Sequence, residues 1–152
     1  MDKELEKTMK AEYMKLEIES KSHNEEFARV VVAVFMTRLD PTIEEMEDVK
    51  TAVSEAVTNA VIHGYQGKEG TIEIEASICE KTLTLSIRDQ GIGIPDIKKA
   101  MEPLYTSMPG GERSGMGFSF MEAFMDQVEV ISKIGEGTTI LLKKTIGNDS
   151  LE

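Results

Sequence analysis

Three side chains able to do chemistry lie four residues apart: Glu55, Asn59 and His63. On an α-helix that spacing puts them on one stripe. The stripe sits roughly a quarter turn from the centre of the apolar positions around it, at the border of the core where a cleft can open. A carboxylate and an amide one turn apart can hold a divalent cation together with a water or hydroxyl, and their oxygens are the hard donors magnesium prefers. The plain alternative is a solvated helix face. A second group, Asp89-Gln90-Gly91-Ile92-Gly93, comes directly after a strand-like segment. Its glycines allow positive φ and close approach of backbone to a flat ligand. An Asp at a strand end can accept from an exocyclic amine. The plain alternative is a turn from hairpin to helix. Third, Ser114-Gly115-Met116-Gly117 precedes an apolar segment. Bare N–H groups at a helix start attract anions, and Arg113 beside them can add a charge-assisted bond to a phosphate; the alternative is a loop that happens to contain glycine. Last, Gly137-Thr138-Thr139 enters a closing strand, where a hydroxyl can hold water or touch a base, or where β-branching alone explains the residues. No G-x-x-x-x-G-K-[ST] occurs, and no G-x-G-x-x-G opens a helix after a first strand. P-loop and Rossmann sites are therefore excluded.

The elements that must carry these groups are legible from periodicity. Residues 1–12 are polar and of mixed charge and read as a flexible arm. Met14, Leu16 and Ile18 alternate with charged residues, the period of a half-buried strand. Ser22-His23-Asn24-Glu25 has a capping-box pattern, after which Phe27, Val30, Val31, Val34, Phe35 and Leu39 recur at helical spacing until Asp40-Pro41. Thr42 with Glu45 repeats the box. A second helix comes next, with Met46, Val49, Val53, Ala56, Val57, Ala60 and Val61 on one face and Gly64 at its C-terminal cap. Alternation over 72–78 and again over 83–87 predicts a β-hairpin with one face buried. A short helix is expected to begin at Asp96. Residues 103–117 show no period and hold two prolines and four glycines, which reads as a long mobile loop. A helix over 118–125 and two strands, 128–132 and 138–144, close the pattern. A single domain over 13–145 with a polar tail over 146–152 is expected. Its fold class is α/β, an α+β sandwich with helices on one face of a mixed, mainly antiparallel sheet and a more polar opposite face.

Composition narrows the partners. The 152 residues suit one domain. Seventeen Lys and Arg against twenty-eight Asp and Glu give a net charge of −11. That balance disfavours direct nucleic-acid and anionic-membrane binding and favours basic partners. The lone Cys79 excludes an intrachain disulfide and fits a reducing, cytoplasmic setting. The longest apolar stretch, 30–36, is far too short to span a bilayer.

Taken in order, Glu-x-x-x-Asn on a helix, Asp-x-Gly-x-Gly, a loop, Gly-x-Gly at a helix start and Gly-Thr in a closing strand resemble the GHKL nucleotide-binding superfamily. That superfamily includes gyrase-type ATPases, mismatch-repair ATPases and histidine-kinase catalytic domains. The resemblance runs over residues 16–144. Leu39-Asp40-Pro41-Thr42, Val53-Ser54-Glu55-Ala56-Val57-Thr58-Asn59-Ala60-Val61-Ile62-His63-Gly64-Tyr65 and Glu112-Arg113-Ser114-Gly115-Met116-Gly117-Phe118 are similar to the anti-sigma serine kinases, with wording nearer the sporulation type than the stress-response type.

The resemblance implies Mg²⁺ and ATP as cofactors and a role for each motif residue. Glu55 would be the general base toward a serine hydroxyl, and Asn59 the Mg²⁺ ligand, with His63 beside them in the cofactor-binding stripe. Asp89 would accept from the adenine amino group, Gly91 and Gly93 would shape the pocket, and Thr138 would support the base. Gly115, Met116 and Gly117 would offer backbone to phosphates, with Thr106, Ser107, Arg113 and Ser114 in a lid over the ATP. Met108 stands where relatives carry a lysine, which shifts weight to Arg113. The implied protein partners are a sigma factor of the sigma F type, an anti-anti-sigma protein as phosphorylation substrate, and a second copy in a homodimer. The first helix, with Glu25 and Arg29, is a candidate partner surface; a solvated helix face is the alternative. Rival readings are weaker. His23 lacks the Glu/Asp and Pro surroundings of a phosphoacceptor histidine. A gyrase-like ATPase needs a transducer domain for which the length leaves no room. A nucleotide-holding module without transfer has no need of Glu55.

Overall fold

Strict alternation of apolar and polar residues builds the sheet. In the computed structural model, which describes residues 12–102 and 117–147, strands β1 (Glu12–Glu19), β2 (Thr71–Cys79), β3 (Thr82–Asp89), β4 (Gln127–Lys133) and β5 (Gly137–Thr145) form one sheet in the order β1-β2-β3-β5-β4. Register places Leu16 opposite Ile74, Ala76 opposite Leu85, Leu85 opposite Leu142 and Val128 opposite Leu142. The inward row Ile72, Ile74, Leu83, Leu85, Ile87, Ile140 and Leu142 is sealed from solvent. The outward row is mostly polar, with Glu73, Glu75, Ser86, Arg88 and Lys143, as expected for a sheet covered on one side, and Tyr13 and Ile131 stand exposed within it. Every neighbouring pair among the described residues is antiparallel. The expected mixed character is thus absent: besides the tight hairpins β2–β3 and β4–β5, the pairs β1–β2 and β3–β5, whose strands are joined through helices, also run antiparallel.

The helices lie on the inward face. Helix α2 (Ile43–Asn59) is the central one: Val49, Ala52, Val53, Ala56 and Val57 are 0% exposed. Its start has the expected capping box, with Glu45 N–H donating to Thr42 Oγ1 at 3.0 Å and Thr42 N–H to Glu45 Oε1 at 2.9 Å. The other oxygen of Glu45 accepts Gly147 N–H at 3.0 Å. Burial pushes the Glu45 carboxyl up, but these donors and the charge of Lys144 outweigh it and leave its pKa lowered. Helix α1 (Asn24–Met36) runs into a 3₁₀ turn, Thr37–Leu39, and stops at Asp40, which adopts φ 55°. The box expected at Ser22 does not form: His23 is the N-cap, no side chain caps it, and Glu25 instead binds Arg29 at 3.2 Å.

The apolar pattern of α1 also divides differently from the sequence reading. Ala28, Val32, Ala33, Phe35 and Met36 face the core, while Phe27, Val30 and Val34 are 52, 47 and 61% exposed. The helix is apolar on two sides, so spacing alone does not say which side is inside. Short α3 (Ile97–Ala100) starts on Asp96, whose side chain accepts Lys99 N–H. Helix α4 (Gly117–Phe124) packs on α2. It is anchored at its end by Lys144 Nζ, which donates to the Phe124 carbonyl at 2.8 Å and lies 3.9 Å from Asp48. Two boundaries shift. Glu12, placed in the arm by sequence, begins β1, and Ile146, placed in the tail, is 1% exposed beneath the helix layer. No helix among the described residues is long and apolar enough to cross a membrane.

Candidate functional site

Helix α2 carries Glu55 and Asn59 one turn apart, both half-buried at the edge of the core, as the stripe predicts. After Asn59 the winding changes. Ala60–Gly64 form a π-turn in which Tyr65 N–H reaches back five residues to the Ala60 carbonyl at 2.8 Å. His63 falls inside that turn, so the α-helical step assumed for it does not hold; it is half-buried and lies next to Gly64. Such π-turns concentrate at functional sites, where the widened turn re-aims the residues at its C-terminal end.

Gly64 closes this turn. It is buried and serves as a packing face, in place of the C-terminal cap expected from sequence. A side chain on it would sit 2.9 Å from the carboxylate of Asp89. Its carbonyl accepts Ile92 N–H at 3.0 Å, and a side chain on Gly91 would come within 2.1 Å of the same carbonyl oxygen. Gly93, at φ +82°, leaves no room for a side chain against the Lys133 carbonyl, and Gly137, at φ +106°, none against the Asp89 carbonyl. These glycines therefore let protein backbone approach protein backbone around Asp89. The sequence predicts that Gly91 and Gly93 shape a ligand pocket; in the structure Gly91 lies against the Gly64 backbone and Gly93 against that of Lys133.

Asp89 ends β3 on the inward face and is 3% exposed. Its Oδ1 accepts Gly91 N–H at 2.8 Å. Burial drives its carboxyl above the ordinary aspartate range, against the Gly91 and Thr138 N–H groups that pull it down. A buried carboxylate held by only two backbone donors keeps lone pairs for a further donor such as an amine. Thr138, 3% exposed, lies directly opposite on β5.

Two residues the sequence reading missed complete this end. Ser132 Oγ accepts Ile94 N–H at 2.7 Å, lies 2.8 Å from Thr138 Oγ1 and donates to the Gly137 carbonyl. It thereby joins the glycine loop to the Thr138 hydroxyl. Tyr65 Oη accepts Gln90 N–H at 2.7 Å and donates to the Thr71 carbonyl at 2.6 Å. The only signal in the sequence was polarity at an inward position of β4 for Ser132 and adjacency to Gly64 for Tyr65.

At the other end, Gly117 opens α4 against Glu55: a side chain there would meet Glu55 Oε1 at 3.2 Å. The expected lid residues Thr106, Ser107, Arg113, Ser114, Gly115 and Met116, with Met108, lie outside the described residues. Glu25 and Arg29 stand apart from this site. They are half-buried and paired with each other on the flank of α1, away from its exposed Phe27-Val30-Val34 side. A depression of about 380 Å³ at the end of β3 is lined by Asp89, Ser132 and Thr138 but also by Arg88, Ile131 and Thr139 of the outward row, so it opens at the sheet end and on its solvent side, and neither Glu55 nor Asn59 lines it.

The donor set suits a magnesium nucleotide. No group of three His, Cys, Asp or Glu side chains able to hold a metal occurs among the described residues. Asn59 instead offers one amide oxygen at the border of the core, and magnesium bound with phosphates uses just one or two protein oxygens. At the opposite end, the buried Asp89 carboxylate packs against Gly64, and the Thr138 hydroxyl beside it is held by Ser132.

Comparison with known proteins bears on the same region. The family model of the histidine kinase-like ATPase domain matches residues 19–144. The chain is 61% identical to the anti-sigma F factor of Clostridium beijerinckii over 132 residues, covering 86% of this chain and 92% of that protein. It is 58% identical to the anti-sigma F factor of Clostridium kluyveri over 135 residues, covering 89% and 95%. Among solved structures, the nucleotide-free catalytic domain of the histidine kinase ThkA superposes with a TM-score of 0.55 at 14% identity, covering 89% of this chain and 96% of that one. At that identity the likeness is one of fold.

Proposed function

The chain belongs to the histidine kinase-like ATPase family, among its anti-sigma F factors, and on that premise we propose that it sequesters a sigma factor of the sigma F type and uses Mg-ATP to phosphorylate a serine of an anti-anti-sigma antagonist. The observation that carries the reading is the placement of Glu55 and Asn59 on the same helix whose π-turn packs against Asp89. In this reading the phosphates lie at Glu55 and Asn59 and the base at Asp89, the two ends of one continuous element.

In this reading Asp89 accepts a hydrogen bond from the adenine amino group, and Thr138, braced by Ser132, supports the base. His63, Gly91, Gly93 and Gly117 line the nucleotide, and Thr106, Ser107, Arg113, Ser114, Gly115 and Met116 close over its phosphates. Asn59 holds Mg²⁺, which when bound neutralises phosphate charge. Glu55 takes the proton from the substrate serine as its oxygen bonds to the γ-phosphorus; the bond to the β–γ bridging oxygen breaks, and ADP and a phosphoserine result. Such transfer is mostly positioning and electrostatics, and a general base adds about 10²–10⁴-fold. The protein works as a homodimer in the cytoplasm.

The test is an assay with γ-labelled ATP, Mg²⁺ and purified antagonist. Label is expected on one serine of the antagonist. Glu55→Gln is expected to bind ATP normally and to lose transfer by about 100-fold or more. Transfer by that variant at the wild-type rate would remove Glu55 from the chemistry. Absence of label with the intact protein would leave a binding module without kinase activity.

A further inference from the structure

We propose that Tyr65 is a positioning residue for purine recognition: its hydroxyl ties Gln90 to the start of β2 and so fixes the carboxylate of Asp89. The inference rests on the nucleotide reading above.

The turn after β3 has no regular ladder to hold it, since β3 ends at Asp89. Its backbone is held from outside on both sides of Gly91. On one side Ile92 N–H donates to the Gly64 carbonyl at 3.0 Å; on the other Gln90 N–H donates to Tyr65 Oη at 2.7 Å. Both acceptors come from the two residues that end the π-turn, so the helix carrying Glu55 and Asn59 grips the turn carrying Asp89. The Tyr65 hydroxyl is itself fixed, because it donates to the Thr71 carbonyl at 2.6 Å. That anchor belongs to a set strand: Thr71 pairs with Glu19, and the Gly70 carbonyl accepts Ser20 N–H at 2.8 Å. The ring needs the absence of a side chain at residue 70, where a Cβ would lie 2.4 Å from it.

A hydroxyl that accepts one bond and donates another is oriented, because its single proton is already placed. It therefore offers Gln90 N–H a lone pair in a fixed direction, and Gln90 is covalently next to Asp89. Loss of that hydroxyl leaves the ring in place but frees Gln90, and with it the angle at which the carboxylate meets an amino group. Geometric looseness at a polar recognition atom lowers discrimination more than it lowers general affinity.

The experiment measures the affinity of the full chain for ATP and for inosine triphosphate, which lacks the amino donor, in wild type, Tyr65→Phe and Asp89→Asn. Wild type is expected to prefer ATP. Tyr65→Phe is expected to weaken ATP about five- to tenfold and inosine triphosphate by less than about twofold, so that the preference shrinks. An unchanged preference in Tyr65→Phe, with the preference lost in Asp89→Asn, overturns the role of Tyr65 and leaves the purine site standing. An unchanged preference in Asp89→Asn overturns both. A second readout needs no variant: the Gln90 amide of the wild-type protein is expected to be protected from hydrogen exchange, and rapid exchange there overturns the proposal.

Discussion

A carboxylate as buried as Asp89 is costly to charge, and its environment only partly compensates. Its pKa is raised by burial in spite of two backbone donors, so the folded protein takes up this proton at a higher pH than the unfolded chain does. Ionisation of Asp89 therefore weakens the fold as pH rises from the unfolded value of about 3.9 through the raised folded value. An amine donor, which needs the charged acceptor, binds less well as pH falls through the same window. ATP affinity measured by calorimetry is expected to decline on acidification toward that window, and the Asp89→Asn variant to bind about tenfold or more weakly with the decline gone. A variant that keeps the wild-type pH profile would place the titration elsewhere. Asp89 was legible as a candidate because a strand end leading into paired glycines is a local pattern, whereas Thr138, a β-branched residue entering a strand, stood out only through the resemblance. Ser132 and Tyr65 were not legible, because their partners stand 38 and 25 residues away at Ile94 and Gln90, and no local period encodes a contact at that separation.

At the scale of elements, the two capping-box patterns separate sequence from structure. Both Ser22-x-x-Glu25 and Thr42-x-x-Glu45 fit the rule, yet only the second forms. Glu45 binds the Thr42 N–H with one oxygen and the Gly147 N–H with the other, whereas Glu25 turns to Arg29 one turn on. Thr42→Ala is therefore expected to cost about 1 kcal/mol in denaturant unfolding, and Ser22→Ala no more than about 0.5. Equal costs would contradict the hydrogen bonding described. The core face of α2 was legible throughout because its opposite side is charged. That of α1 was not, because Phe27, Val30 and Val34 continue the apolar pattern around the helix into solvent. The π-turn left no trace in the pattern either, since Ala60 and Val61 are buried whether the turn is α or π.

For the molecule as a whole, the sheet leaves a mostly polar face on which Tyr13 and Ile131 are exposed, and the helix layer leaves an apolar strip on α1. Exposed apolar side chains in a row mark a contact surface more often than chance exposure does, and α1 is where the resemblance places the partner. Val34→Glu is expected to leave the unfolding midpoint within the range of a surface change, about 0.5 kcal/mol, and to abolish co-elution with the sigma factor on gel filtration. Co-elution undisturbed by the charge would move the partner to another face. Arg29 and Glu25, paired on the flank, are expected to contribute less than this strip.

The bond from Gly147 to Glu45 carries a practical consequence. The last described residue of the chain reaches across the molecule to the carboxylate that caps α2, the helix of Glu55 and Asn59. A truncation ending at Ile146, or a purification tag that pulls residue 147 away, would take a donor from that carboxylate at the far end of the helix from the nucleotide. Expression designs that treat the C-terminus as dispensable should keep the backbone intact through Gly147. Melting curves of proteins ending at residues 146 and 148 would register the difference as a lower midpoint for the shorter one.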